Sequence, residues 1–435
     1  MKGVLSMETS TKKGSDLNIW AFWKAQKPAW RVTVVRTSLE RFGYKLVLPY
    51  LSLYVILMGA TTTQLGLVTS LGLITAGLIG PWLGQQIDRH GPKKMYIFGI
   101  AVLILGYIAF GFANVWQVAA LGMFLHQMGQ TLGGQSCANI CGNCLTNCDR
   151  GKGVMVCETL AAGALGMLAP MLAGWIMVNI MNVHGDVTDP NQVRPLFFIT
   201  LICTVISLFV VIFKLDVRDW GTGLKTKHSV IKDGVAILKA DINCVKWVFI
   251  NSVSRLPNAL VIPYLQLFAS EVKGATAEEL AIMTTAIALT SVLCGYMAGV
   301  IGDKIGRKKV LIALILLYCA GLLLLINLND NRWLILVGIL AGFQEIGAAL
   351  GGSIQHELVP ARIRGRWSGV NSLFGSMVSA SMAALAGMFW DNLGPQWVFL
   401  IYIGFEMLLR IPLLVSLPET LKYKVDESKF SALDA

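Results

Sequence analysis

Two stretches decide how this chain folds: Gly84-Gln-Gln-Ile-Asp88-Arg-His-Gly91-Pro-Lys93-Lys94 and Gly299-Val-Ile-Gly-Asp303-Lys-Ile-Gly306-Arg-Lys308-Lys309. Their Gly, Asp, Gly and Lys-Lys coincide at an offset of 215 residues, and other signals recur at almost the same distance. Arg41, Leu46, Val47, Pro49, Tyr50 and Leu51 return as Arg255, Leu260, Val261, Pro263, Tyr264 and Leu265. Gln130 and Gly133 return as Gln344 and Gly347, and Arg150-Gly151 returns as Arg364-Gly365. Matches held in one register along 435 residues make the chain an internal repeat of two halves.

What repeats is a membrane unit. Apolar residues make up 55% of the chain and charged residues 14%, where soluble domains carry about 25% charged residues. A disordered chain and a collagen-like one are excluded by the low charge and the lack of a glycine triplet. Nine cysteines are too sparse for a disulfide scaffold. A helical span needs about 20 mostly apolar residues. Twelve stretches qualify, at 32–58, 64–87, 95–113, 116–146, 153–181, 196–213, 247–270, 278–301, 310–326, 333–358, 367–390 and 397–417. The expected fold is an all-α polytopic membrane protein with twelve transmembrane helices in two pseudo-symmetric six-helix bundles. A tail at 1–31 precedes a bundle at 32–213; a polar linker at 214–246, with a short surface helix at 229–240, leads to a bundle at 247–417 and a tail at 418–435.

Positive residues stay on the cytoplasmic side. With both termini inside, cytoplasmic segments hold 28 of the 36 Lys and Arg, and external loops hold Arg194, Lys273 and Arg332. The net charge of +11 is then a record of topology in a cell membrane and no argument for nucleic acid. Residues 1–31 hold no apolar core of signal-peptide length. Trp20, Phe22, Trp23 and Trp30 lie there among lysines and read either as an interfacial segment or as part of a solvated tail. No cysteine falls in an external loop, so no structural disulfide is expected.

The two quoted loops resemble the loop between helices 2 and 3 of the major facilitator superfamily. The second copy is the cleaner match, because Pro92 stands where the family usually has Arg. Span count, half-repeat and both loops extend the resemblance over nearly the whole chain. It implies a secondary transporter working by alternating access. Gly84, Asp88, Arg89, Gly91, Gly299, Asp303, Lys304, Gly306 and Arg307 would be its gating motif, with Asp88 and Asp303 meeting the N-terminal ends of helices 11 and 5. Physically, Gly84 and Gly299 suit a close helix approach, and Gly91 and Gly306 suit tight turns. The plainer alternative is that both loops only anchor charge at the interface.

An ionisable group at mid-span costs about 2.5–3.5 kcal/mol, so it faces a partner or a cavity. Five basic residues lie within spans: Arg36, Arg41, Lys45, Arg255 and Arg410. Arg36 with Glu40, and Glu406 with Arg410, are spaced to pair on one helix face. Arg41 and Arg255 each lie eight residues before a proline in equivalent helices. Two guanidinium forks across one midplane cavity suit a carboxylate or phosphate. That pattern is similar to the organophosphate:phosphate antiporter branch of the superfamily, in which such arginines hold the substrate anion. The alternative is that Arg41 pairs with Glu40 or Glu158 and Arg255 snorkels to the interface. Lys45, Tyr50, Tyr264, Gln130 and Gln344 complete the candidate substrate-binding set. Glu345, His126 and Glu158 are the candidates for coupling to protons, with a structural ion pair as the other reading of Glu158.

Helix 5 carries Ala169-Pro170 and then Ala173-Gly174, similar to the signature of drug:proton antiporters, although small residues at a helix contact explain it equally. Cys137, Cys141, Cys144 and Cys148 share one helix face, with Cys157 following. Packing is the bland reading of that stripe and a soft-metal path the sharper one. The favoured reading is a monomeric secondary transporter of a small organic anion. Efflux of amphipathic or thiol-reactive compounds, and a non-transporting sensor, remain as alternatives. No constellation for enzymatic activity, no P-loop and no cofactor site is read.

Overall fold

The computed structural model describes residues 23–24, 26–144, 162–183, 185–216, 236–360 and 363–419, and all the regular structure among them is helical. A spanning chain must satisfy its backbone groups internally, and helices do so. In the first half α1 runs Pro28–Val47 and continues through a tight turn at Leu48–Tyr50 into Leu51–Leu57. It is followed by α2 (Thr62–His90), α3 (Pro92–Phe112), α4 (Trp116–Cys144), α5 (Ala162–Asn179) and α6 (Pro190–Lys214). In the second half α7 is built from Ile242–Ser254, a π-helical turn at Pro257–Val261, Ile262–Leu267 and a second π turn at Phe268–Val272. Then come α8 (Ala277–Ile305), α9 (Arg307–Asn327), α10 (Leu334–Glu357) and α11 (Arg364–Leu393). The last column, α12, runs Pro395–Phe405, Glu406–Arg410 and Ile411–Ser416.

Eight of these columns contain a window long and apolar enough to cross a membrane: α2, α3, α6 and α8 to α12. Three of the others are interrupted by polarity or by breaks. α1 carries five charges, α4 carries glutamines and α7 breaks at Arg255-Leu256 ahead of Pro257. Polar helices survive in a bilayer only in the bundle interior or along water, and α1, α4 and α7 all contribute to the lining of the central cavity.

The repeat is visible in the backbone. Gly59 and Gly274 have φ of +96° and +66°, and Gly91 and Gly306 have +83° and +110°, each pair 215 residues apart. Side chains rarely adopt this conformation, so glycine sets the four turns. The Gly91 and Gly306 turns mark one face of the molecule, here called basic; the Gly59 and Gly274 turns mark the far face. On the basic face Lys93 Nζ donates to the carbonyls of Ile212 (3.1 Å) and Leu215 (2.5 Å) at the end of α6. Its repeat mate Lys308 donates to Val415 (3.2 Å) and Leu417 (2.7 Å) at the end of α12. Each lysine satisfies orphan C-terminal carbonyls and complements the helix dipole.

The halves meet along two seams, α2 on α11 and α5 on α8. A Cβ on Gly387 would lie 2.3 Å from the Thr62 carbonyl, and one on Gly66 would lie 2.6 Å from the Ala383 carbonyl. On the other seam a Cβ on Gly174 would meet that of Ala281 at 2.7 Å, with Ala169 and Ala173 fully buried. The small residues of α5 therefore serve a helix contact.

Two expectations change. Among the described residues a Cβ on Gly299 would meet nothing within 4 Å, so none of them approaches α8 closely there; the close approaches lie farther from the basic end of that helix. Trp30 is not interfacial. It is fully buried with Val34, Tyr96 and Ile100, its ring 5.5 Å from that of Trp23, because α1 starts at Pro28 and carries Trp30 into the bundle.

Gly387→Val should lower stability by about 1–3 kcal/mol through overpacking of the α2–α11 seam. Gly351→Val, where a Cβ has open space, should be near neutral. Thermal unfolding of the two purified variants against wild type measures the difference, and equal melting would remove the close-crossing account.

Candidate functional site

A cavity of about 300 Å³ lies among α1, α2, α4, α7 and α11. α1 contributes Tyr44 and Ser52, and α4 contributes His126, Gln127 and Thr131. The break in α7 presents Arg255 and Asn258, while α11 adds Ser372 and Ser376. The His126 ring stacks on Tyr44 with centroids 5.0 Å apart and meets the edge of Tyr107 at 5.6 Å. Its Nδ1 is buried without a hydrogen-bond partner among the described residues. Arg255 is the one arginine or lysine in the lining; it packs against Gly375 and has no ion pair among the described residues.

Arg41 is not in that lining. It lies within electrostatic range of Tyr44 and of Glu345 on α10. The structure thus brings Arg255 to the cavity and Arg41 to a different cluster, and the two guanidiniums do not share one lining. The repeat gives the reason. Arg41 corresponds to Arg255, and Glu345 corresponds to Thr131. In one copy the arginine has a carboxylate near it; in the other that position holds a threonine.

Lys45 and Glu345 join the halves directly, with Nζ 2.8 Å from Oε1 across 300 residues of sequence. Lys45 is 14% exposed and Glu345 is 45% exposed. Packed between α1 and α8, where Ser291 also reaches it, a carboxylate this exposed borders a water-filled crevice, since lipid would not solvate it. Arg36 and Glu40 pair within α1, and the guanidinium lies 4.6 Å over the Tyr96 ring. Glu406 and Arg410 pair at 2.8 Å, both buried, and Tyr402 Oη donates to the same carboxylate at 2.6 Å. These two pairs are internal supports.

Tyr50 and Tyr264 lie outside the cavity and close the far face. Tyr50 Oη donates to the Ala277 carbonyl at the start of α8 (2.8 Å), and Tyr264 Oη donates to the Thr62 carbonyl at the start of α2 (3.4 Å). The two bonds are mates under the repeat. Asp391, at the end of α11, reinforces the second: Thr62 Oγ1 donates to it, as do Thr63 Oγ1 (2.5 Å) and the Thr63 N–H (3.3 Å). A carboxylate at a helix N-terminus satisfies orphan N–H groups and complements the dipole. Neither Asp391 nor its partners stood out in sequence, because the residues that meet are more than 320 positions apart.

Gln130 and Gln344 are half-buried and do not line the cavity. Glu158, Cys148 and Cys157 lie outside the described residues, as do the side chains of Asp88, Arg89, Asp303, Cys141 and Cys144. Cys137 Sγ is 3.6 Å from Thr37 Oγ1, a packing contact with α1. Arg307 pairs with Glu357 at the end of α10, and its N–H donates to Glu419 (3.1 Å). Lys304 is exposed.

A family model described as Major Facilitator Superfamily matches residues 37–239 and 247–432. The chain is 25% identical over 385 residues to a multidrug resistance protein, MdtG, of Escherichia coli, covering 83% of this chain and 88% of that protein. It is 26% identical over 292 residues to MdtG of Dickeya zeae, covering 63% of this chain and 66% of that one. Among solved structures, a D-xylose-proton symporter superposes with a TM-score of 0.68 at 14% identity, over 91% of this chain and 99% of that one. The nucleoside transporter NupG superposes with a TM-score of 0.66 at 14% identity, over 89% and 100%.

Asp391→Asn should weaken the charge-assisted bonds at the start of α2, worth about 1.5–3 kcal/mol where the acceptor is ionised. Amide hydrogen exchange at Thr63 should then speed up about tenfold or more, while exchange in α9 stays unchanged. Unaltered exchange at Thr63 would show that Asp391 does not hold the far face.

Proposed function

As a member of the major facilitator superfamily, this chain is a multi-pass membrane transporter, and we propose that its cargo is a small organic anion gripped by Arg255. One observation carries this reading: the cavity holds an arginine whose counter-ion position, judged by the repeat, is filled by Thr131 instead of a carboxylate. A bound carboxylate or phosphate ester would supply the missing charge in bidentate geometry. Asn258, Gln127 and the serines of α11 offer hydrogen bonds to the rest of the ligand, and Tyr44 with His126 offers an aromatic wall.

Alternating access needs contacts that exist in one state and break in the other. The tyrosine and Asp391 bonds at the far face belong to one such state. With the termini in the cytoplasm, the basic face is cytoplasmic and that state is closed to the outside. Lys45–Glu345 is the coupling element of this reading. It bridges the halves, and protonating Glu345 would release Lys45, so that exchange of a proton is tied to separation of α1 from α10. Arg41 adds a second positive charge beside the same carboxylate.

Export is favoured as the direction by the relatives, which are named for multidrug resistance. The same names favour a second reading, in which amphipathic compounds use the apolar side of the cavity formed by Leu51, Met123 and Ile262.

A thermal-shift series on purified protein separates the two. Carboxylates and phosphate or phosphonate esters at about 100 times Kd should stabilise wild type by about 2.7 kcal/mol, and Arg255→Ala should lose that gain. Stabilisation by lipophilic cations alone, or by anions equally well in Arg255→Ala, overturns the anion reading. In proteoliposomes, Glu345→Gln should keep the ligand-induced shift and lose transport driven by a pH gradient.

A further inference from the structure

A second cavity, of about 340 Å³, opens on the outer surface of the second half between α8, α9 and α10, away from the transport path. Its floor is apolar, from Cys294 and Ala298 on α8 across Ala313 on α9 to Phe343 on α10. Ile301 and Ile305 form an exposed apolar rim. From Cys294 to Ile305 the groove follows α8 for about 16 Å, with room for on the order of ten methylene-sized groups. At its basic-face end stands Lys309, exposed and without an ion pair or hydrogen bond among the described residues.

The repeat shows how the first half differs in this place. At the equivalent positions it carries Ile79 for Cys294, Leu83 for Ala298 and Phe98 for Ala313. Leu83 is fully buried there, packed with Val102, Leu132 and Ile79. Ala298 and Cys294 thus stand where the first copy packs Leu83 and Ile79, and Ala313 stands where it carries the larger, exposed Phe98. The lysine is kept as Lys94 and Lys309.

Length, apolarity and an ammonium at one end suit an amphiphile with an acyl chain and an anionic head. We propose that this groove holds one anionic glycerophospholipid from the leaflet bordering the basic face, one acyl chain lying along α8 and the phosphate on Lys309. Burial of the chain supplies retention, and the ammonium supplies headgroup preference, because a basic residue near the headgroups attracts anionic lipid. Lys308 is engaged elsewhere, its ammonium donating to the carbonyls of Val415 and Leu417 at the end of α12.

Native mass spectrometry of the purified full chain with equimolar phosphatidylglycerol and phosphatidylcholine tests the proposal. Wild type should retain one phosphatidylglycerol in preference to phosphatidylcholine. Lys309→Gln should cut that preference about fivefold and leave retention of an acyl lipid. Ala298→Leu with Ala313→Phe, which restores the residues of the first half, should abolish the retained lipid while the protein melts no lower than wild type. Cys294→Ile alone provides a milder filling if the double variant is misfolded. Wild type without a retained lipid, equal binding of the two headgroups, or full retention in a folded, filled variant overturns the assignment.

Discussion

The cost of an ionisable group in hydrocarbon, about 2.5–3.5 kcal/mol at mid-span, organises this protein. Two pairs meet it within a single helix. Arg36 with Glu40 and Glu406 with Arg410 sit one turn apart, are buried, and are backed by Tyr96 and Tyr402. Such pairs travel with their helix and stay intact whatever the two bundles do. Lys45 and Glu345 meet the same cost between the bundles, so their pairing depends on how α1 and α10 stand to each other. Arg255 has neither arrangement among the described residues and faces the cavity. The degree to which each charge is neutralised locally therefore sorts supports from groups able to respond to ligand or proton.

The repeat supplies the frame, and departures from it mark where the copies differ in what they can do. Where the copies agree, the residues do the same structural work twice. Lys93 and Lys308 hold helix C-termini, Gly59 and Gly274 turn the chain at one face, and Tyr50 and Tyr264 bond across the halves. Where they disagree, a new environment arises. Glu345 against Thr131 leaves one arginine with a carboxylate nearby and the other facing an open cavity. Ala298 against Leu83 turns a filled contact into a groove.

Much of the fold was legible because it depends on short-range patterns. Apolar runs, turn glycines and the spacing of Glu406 and Arg410 are local, and a helix satisfies its own backbone wherever the pattern recurs. The candidate site was legible only as a set of residue types. Repetition grouped Tyr50 and Tyr264 with the arginines, yet the structure turns these tyrosines into bonds with Ala277 and Thr62. Asp391 drew no notice, lying just past the expected end of its span, although it caps a helix of the other half.

By itself the sequence determined a helical membrane protein with a doubled architecture, the positions of its turns, and which charges needed an explanation. Those follow from bilayer thickness and from steric limits that act within a few residues. Only the tertiary structure decided that Arg255 faces the cavity, that Lys45 meets Glu345, and that Ala298 leaves a groove. Each depends on the rotation of one helix about its axis relative to partners hundreds of residues away, and packing across the two seams fixes that rotation where spacing along the chain does not.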